Sequence, residues 1–184
     1  MLLKNVRLSF PDLFIAKAFN DAAEAKYKAM FIMPKDHPQL AEVKEAMKAC
    51  KAKKWPRNED VRPILCLRDG EEKSGAGFGK DVVFFNASST IRPTVINADT
   101  SPLTAADGKP YAGCYVDVNV EFWAMDNQYG KRINAALRGV QFRADGEAFG
   151  GGSGPASVDD FEVIEEVGEA QAVASAEDLD DMLA

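Results

Sequence analysis

The sequence predicts a mainly β chain: a small closed barrel with one amphipathic helix, long connecting loops and a disordered acidic C-terminal tail. Three observations carry this expectation. Short apolar stretches alternate with polar residues at a period of two, one segment alone follows a helical period, and Asp-Gly or glycine-rich text separates the stretches.

In chain order, Val6, Leu8 and Phe10 alternate with Arg7 and Ser9, which reads as an opening strand ended by Pro11. Tyr27 to Met33 reads as a second strand, with Tyr27, Ala29, Phe31 and Met33 on one face and Pro34 as its stop. Asp36 or His37 is then placed to cap a helix that uses Pro38 in its first turn. That helix puts Leu40, Val43, Met47 and Cys50 on one face and Glu42, Lys44, Glu45, Lys48 and Lys51 outside. Further strands are expected at Ile64 to Leu67, Val82 to Asn86, Arg92 to Ile96, Gly113 to Met125 and Val140 to Arg143. The connectors at Asp69-Gly70, Asp107-Gly108 and Asp145-Gly146 are turn material, because Asp bonds its own backbone and Gly accepts a left-handed position. Several short strands with one helix favour an OB-type barrel with insertions over a doubly wound sheet. Its expected core is Val6, Leu8, Phe31, Met33, Leu65, Val83, Phe85, Val116, Val118, Val120, Phe122, Val140 and Phe142.

Charge divides the chain unevenly. The last thirty residues hold ten of the 29 acidic groups and no Lys or Arg, so Met1 to Gly154 carries 22 basic against 19 acidic side chains. A body of residues 1–165, mildly basic as far as Gly154, followed by a flexible acidic tail at 166–184 is the expected division. Such a tail either competes for a basic groove, recruits partners or simply aids solubility. Cys50, Cys66 and Cys114 are far apart and odd in number, which argues against a disulfide framework or a thiolate zinc site and for buried thiols in a reducing compartment. No signal core opens the chain and no apolar run is long enough to span a bilayer, so a cytosolic, membrane-free protein is expected.

Catalytic chemistry finds little support. His37 stands alone at a helix start, no Ser or Cys has a nucleophile context, and Lys80 is followed by Asp81 where a phosphate loop needs Ser or Thr. Asp159 with Asp160 and Asp180 with Asp181 lie in or beside the tail, with nothing rigid to fix a metal ion. Neither an enzyme, a metal site nor a cofactor is expected.

The longest strand points elsewhere. Val116, Val118, Val120 and Phe122 form one face, leaving Tyr115 and Trp123 on a face otherwise made of Asp117, Asn119 and Glu121. Aromatic planes on an exposed strand suit sequence-tolerant base stacking, with nearby cations on phosphate; the alternative is a helix or loop covering both rings. Tyr129, Lys131 and Arg132 follow in a turn, joined by Lys26 and Lys28, by Arg92, and by a second patch of Lys53, Lys54, Trp55 and Arg57. Arg138 or Arg143 joins them according to the register of the last strands. Ala148-Phe-Gly-Gly-Gly-Ser-Gly-Pro reads as a flexible release point, or, through Phe149, as a segment lying across a groove.

Six blocks in order now carry a resemblance: Val6-Arg-Leu-Ser-Phe-Pro-Asp-Leu-Phe, Ala29-Met-Phe-Ile-Met-Pro-Lys-Asp, Phe85-Asn-Ala-Ser-Ser with Arg92-Pro, Tyr111-Ala-Gly-Cys-Tyr-Val, Trp123-Ala-Met-Asp-Asn-Gln-Tyr-Gly-Lys, and Gly139-Val-Gln-Phe-Arg-Ala-Asp-Gly-Glu-Ala-Phe-Gly-Gly-Gly. From Val6 to about Phe161 the chain resembles the phage-encoded single-stranded DNA-binding family once known only as a domain of unknown function. The resemblance implies an OB-fold relative of the helix-destabilising proteins of lytic phages, which coats single-stranded DNA during replication and recombination in the host cell cytoplasm. It also implies that the acidic end docks phage or host replication and recombination proteins. Asp178, Leu179, Asp180, Asp181, Met182 and Leu183 would make that contact, although the terminal phenylalanine of several well-known tails is absent. RNA is a lesser variant of the same ligand, and a non-enzymatic adaptor of the replication machinery is the alternative function.

Overall fold

The computed structural model describes residues 1–18, 20, 23–57 and 60–150. The expected boundary at 165 and the acidic tail lie outside them. Eight strands and one helix follow in order: β1 (Leu2–Lys17), β2 (Lys26–Pro34), α1 (Leu40–Lys54), β3 (Ile64–Leu65), β4 (Leu67–Asp69), β5 (Val82–Ser89), β6 (Thr94–Ile96), β7 (Tyr115–Asn127) and β8 (Gly130–Ala144). β7, β1, β2 and β5 pair antiparallel in that order, and β8 pairs antiparallel with β7 and parallel with β5, closing a five-stranded barrel. The mainly β barrel with one helix is therefore as expected.

β1 is the principal departure. Pro11 does not end it; the strand runs on to Lys17 because Phe10 and Pro11 sit in a bulge between the Ser9–Met30 and Asp12–Lys28 pairs. A bulge is where proline's missing N–H costs no ladder bond, and the extra residue re-aims its neighbours. Phe10, placed inward by simple alternation, is thereby turned out and is 59% exposed, while Leu13 takes the next core position. A second bulge at Leu3/Val6 puts Asn5 at φ 56°, where its N–H donates to Asp117 Oδ1 at 2.8 Å.

The core holds twelve of the thirteen expected residues, centred on the Phe31, Phe85 and Phe122 rings. Leu65 is the exception: β3 is only two residues long, pairs with the edge of β8, and leaves Leu65 exposed. A two-residue strand contains no alternation from which a face could be read. On the opposite side of β2 and β5, Met30, Ile32 and Phe84 form a smaller apolar cluster under Phe78, Val82 and Phe149.

The helix starts later than expected, at Leu40 after Gln39, and without a side-chain cap. His37 instead accepts the Gln39 N–H at Nδ1 and, in the tautomer this requires, donates from Nε2 to the Lys4 carbonyl. Gln39 bonds Leu2 and Lys4, which ties the helix start to β1. Leu40, Val43 and Met47 are buried as expected, and α1 packs on β7 and β8. Of the three Asp-Gly turns, only Gly108 takes the left-handed position, at φ 63°; Asp69 caps a short 3-10 turn over Gly70–Glu72, and Gly146 needs no positive φ.

The thiols differ from expectation in depth. Cys114 is buried, whereas Cys50 and Cys66 are half-buried, and all three are free. Burial pushes the Cys66 thiol up to about 12 and Cys114 to about 11, so neither supplies thiolate near neutral pH. Among the described residues no helix is long and apolar enough to cross a membrane, and no cluster of three His, Cys, Asp or Glu side chains could hold a metal ion.

Candidate nucleic-acid interface

β8 builds the floor of a surface groove. Ile133, Ala135 and Leu137 point into the barrel, so Arg132, Asn134 and Ala136 point out. β7 places Trp123 beside Asn134 and Met125 beside Arg132, and on the other edge β5 sets Ser88 beside Ala136 and β3 sets Ile64 beside Arg132. The result is a groove of about 630 Å³, walled by Ile64, Leu65 and Ile91 and rimmed by Lys26, Arg68 and Arg138. Trp123, 43% exposed, lines it together with small Ala136.

Among the described residues no carboxylate lines this groove, whereas four cations do. Three are matched by acids outside it: Lys26 by Glu24 at 3.7 Å, Arg68 by Glu72 at 3.4 Å and Arg138 by Glu121 at 2.6 Å. Arg138 holds the Glu121 carboxyl below its ordinary range through that hydrogen bond. Exposed pairs of this kind are worth about 0–1 kcal/mol, so an arriving phosphate exchanges with the carboxylate at little cost. Arg132 differs. Its Nε is buried without a hydrogen-bond partner, the only side-chain nitrogen or oxygen in that state among the described residues. Leaving a buried donor unmet costs about 1–3 kcal/mol, which an anionic oxygen in the groove would recover.

The remaining expected residues scatter into separate surroundings. Tyr115 lies eight residues along β7 from Trp123, roughly 27 Å of extended strand, so the two rings form no common stacking row. Its half-buried ring lies 5.4 Å from the Arg7 guanidinium. Lys131 and Arg132 are adjacent on β8 and point apart. Lys131 lies 6.0 Å from the Trp55 ring, whose Nε1 donates to Asp126 Oδ2 at 2.9 Å. That cluster adjoins Lys53 and Lys54 in the last turn of α1, with Arg57 just beyond, so Lys131 belongs with the second patch. Tyr129, 71% exposed, projects from the β7–β8 turn outside the groove. Lys28 pairs with Asp12 at 3.7 Å, and Arg92 sits 5.9 Å from the Phe14 ring. Arg143 is committed to Asp117, with both carboxylate oxygens at 3.0–3.1 Å, whereas Arg138, set out by a bulge in β8, lines the groove.

The groove thus unites Lys26, Trp123 and Arg132 and adds Ile64, Leu65, Ile91, Arg68 and Asn134, none of which sequence reasoning placed there. The available signal was the isolated Ile91 between Thr90 and Arg92, an apolar residue without a periodic partner. The partner-binding residues Asp178 to Leu183 lie outside the described residues.

A family model described as that of the Enterobacter phage Enc34 ssDNA-binding protein matches residues 1–173. "Putative protein p50" of Acyrthosiphon pisum secondary endosymbiont phage 1 is 43% identical over 184 residues, covering 94% of this chain and 98% of that one. Among solved structures, the single-stranded DNA-binding protein from bacteriophage Enc34 in complex with ssDNA superposes with a TM-score of 0.72 at 30% identity, over 81% of this chain and 88% of that chain. The bacteriophage T7 protein gp2.5, a single-stranded DNA-binding protein, shares the fold with a TM-score of 0.55 at 18% identity, over 95% and 99% of the two chains.

Proposed function

Because this chain belongs to the phage family of the Enc34 single-stranded DNA-binding protein, a family of binding proteins rather than enzymes, we propose that it binds and protects single-stranded DNA. Binding would be without strong sequence preference and would serve phage DNA replication and recombination in the host cell cytoplasm. One observation carries the reading onto this molecule: an exposed Trp123 beside the unmet Arg132 Nε, in a groove whose described lining holds four cations and no carboxylate. A base stacks on the indole, its phosphate meets Arg132, Lys26, Arg68 or Arg138, and Ile64, Leu65 and Ile91 exclude water around it. Lys53, Lys54, Trp55, Arg57 and Lys131 form a second basic patch for strand beyond the groove. Tyr129 stands between the two patches in sequence, and Tyr115, Lys28 and Arg92 are peripheral candidates.

Binding only the unpaired form melts hairpins by mass action, without ATP. The test is fluorescence anisotropy of a labelled mixed-sequence oligonucleotide, alongside the matching duplex and RNA, at low and high salt. Selective binding of the single strand that weakens with salt is expected, because each neutralised phosphate releases condensed cations. Equal binding of duplex and single strand, or none, would sink the reading and leave a replication adaptor in its place.

The acidic end adds a regulatory element to the proposal. With ten acids and no Lys or Arg in the last thirty residues, it is a tethered competitor for the cationic groove, and its Asp178 to Leu183 stretch combines charge with apolar contacts for a replication protein. Removing residues 170–184 is expected to tighten DNA binding several-fold at low salt and to have little effect at high salt. Identical affinities for full and shortened proteins across a salt series would count against competition by the tail.

A further inference from the structure

The bulge in β1 turns Phe10 out of the barrel. Its backbone is left-handed, at φ 47°, a conformation that residues with a side chain rarely adopt, and the ring it turns outward is 59% exposed. The ring borders a hollow of about 640 Å³ with Phe78 and Phe149. Lys73 Nζ lies 4.8 Å from the Phe10 centroid and 5.6 Å from that of Phe78, and Lys17 lines the far side. Phe149 packs closely on the neighbouring backbone: a Cβ on Gly77, at φ 83°, would strike its ring. Phe149 therefore packs on the outer apolar cluster of the barrel and does not cross the Trp123 groove.

This hollow and the Trp123 groove lie on one outer sheet face, two strands apart. Ser88 of the groove pairs with Lys28 of β2, and Lys28 pairs with Asp12 of the hollow; Lys26 of the groove likewise pairs with Lys17 of the hollow. Two strand spacings are about 10 Å. Among the described residues two acids border the path: Asp12 holds Lys17 at 2.6 Å and Lys28 at 3.7 Å, and Glu24 lies 3.7 Å from Lys26, so three ammonium groups face two carboxylates. Resting on the single-strand reading, we propose that DNA leaving the Trp123 groove crosses β2 at Lys26 and Lys28 and stacks a second base on Phe10, with Lys17 and Lys73 on the flanking phosphates. Aromatic rings with interleaved cations, continuous with the groove, fit a polyanion that carries planar bases.

The test uses full-length protein and oligothymidines of about 6 and about 20 nucleotides, bracketing the ~4–16 nucleotides that a fold of this type covers. Phe10→Gly keeps the backbone conformation that the bulge needs, and Phe10→Trp restores a ring. For the longer strand, Phe10→Gly should weaken binding roughly 5- to 100-fold, the range of one lost base stack, with Phe10→Trp near wild type. For the short strand the loss should stay within about twofold, because the Trp123 groove alone accommodates it. Wild type and Phe10→Gly binding the longer strand equally would overturn this second station and leave the hollow to a protein partner. Equal loss at both lengths would place Phe10 in the primary site and overturn the extended path. Failure of the wild type to bind either strand would instead refute the single-strand reading itself.

Discussion

Replacing Trp123 with alanine is expected to weaken single-strand binding by roughly 5- to 100-fold, and by a similar factor for thymidine-rich, adenine-rich and mixed strands. The size follows from base stacking on an aromatic side chain, about 1–3 kcal/mol per base, and the uniformity follows because every base presents a π face. Trp123 is suited to this test because its ring is on the outer face, beside Asn134, while the neighbouring Phe122 fills the core. The variant should therefore melt within a few degrees of wild type. Its residual binding should be the more salt-sensitive part, since Lys26, Arg68, Arg132 and Arg138 remain. Affinity unchanged in a protein that melts normally would exclude Trp123 as a stacking platform. Arg132→Gln gives the complementary outcome: an affinity loss accompanied by a shallower salt slope, with stacking retained.

The legible parts of this chain are those in which a local period met a global constraint. β7 and the helix announced their faces, because Val116, Val118, Val120 and Phe122 alternate over many residues and Leu40, Val43 and Met47 repeat at helical spacing. The closing contact of the barrel was not legible. It joins β5 to β8 through Ala87–Ala135 and Ser88–Ala136, parallel pairs nearly fifty residues apart with no local signature. That contact decides which outward residues meet, so Trp123, Arg132 and Lys26 could be named one by one but not as a group with Ile91, Leu65 and Arg68. Bulges misled in a different way. At Phe10 one extra residue reversed the side expected from alternation, and at Arg138 another set the guanidinium out beside Glu121. Bulges carry little sequence signal of their own, yet here they orient two of the residues that matter to the surface.

The core and the groove make separable contributions, and Phe85→Ala should expose the division. Phe85 is fully buried, its ring 5.4 Å from Phe31 and 6.1 Å from Phe122, on the β5 strand that closes the barrel against β8. Truncating a buried phenylalanine leaves a cavity and costs about 3–5 kcal/mol, a large share of the ~5–15 kcal/mol that holds a domain of this size together. The melting temperature should fall by roughly 6–20 °C. The groove is built from the outward side chains of the same strands, so affinity measured well below the midpoint should stay within about twofold of wild type. A ligand that binds only the folded state adds stability by mass action, about 2.7 kcal/mol at a hundredfold excess over Kd. Saturating oligonucleotide should therefore restore much of the melting temperature lost by Phe85→Ala. Trp123→Ala should show the converse: a normal melting temperature without DNA and a much smaller rise with it at the same oligonucleotide concentration. A Phe85→Ala protein that melts like wild type would contradict the packing described for the barrel. One that loses affinity in proportion to its stability would show that groove and core do not act separately.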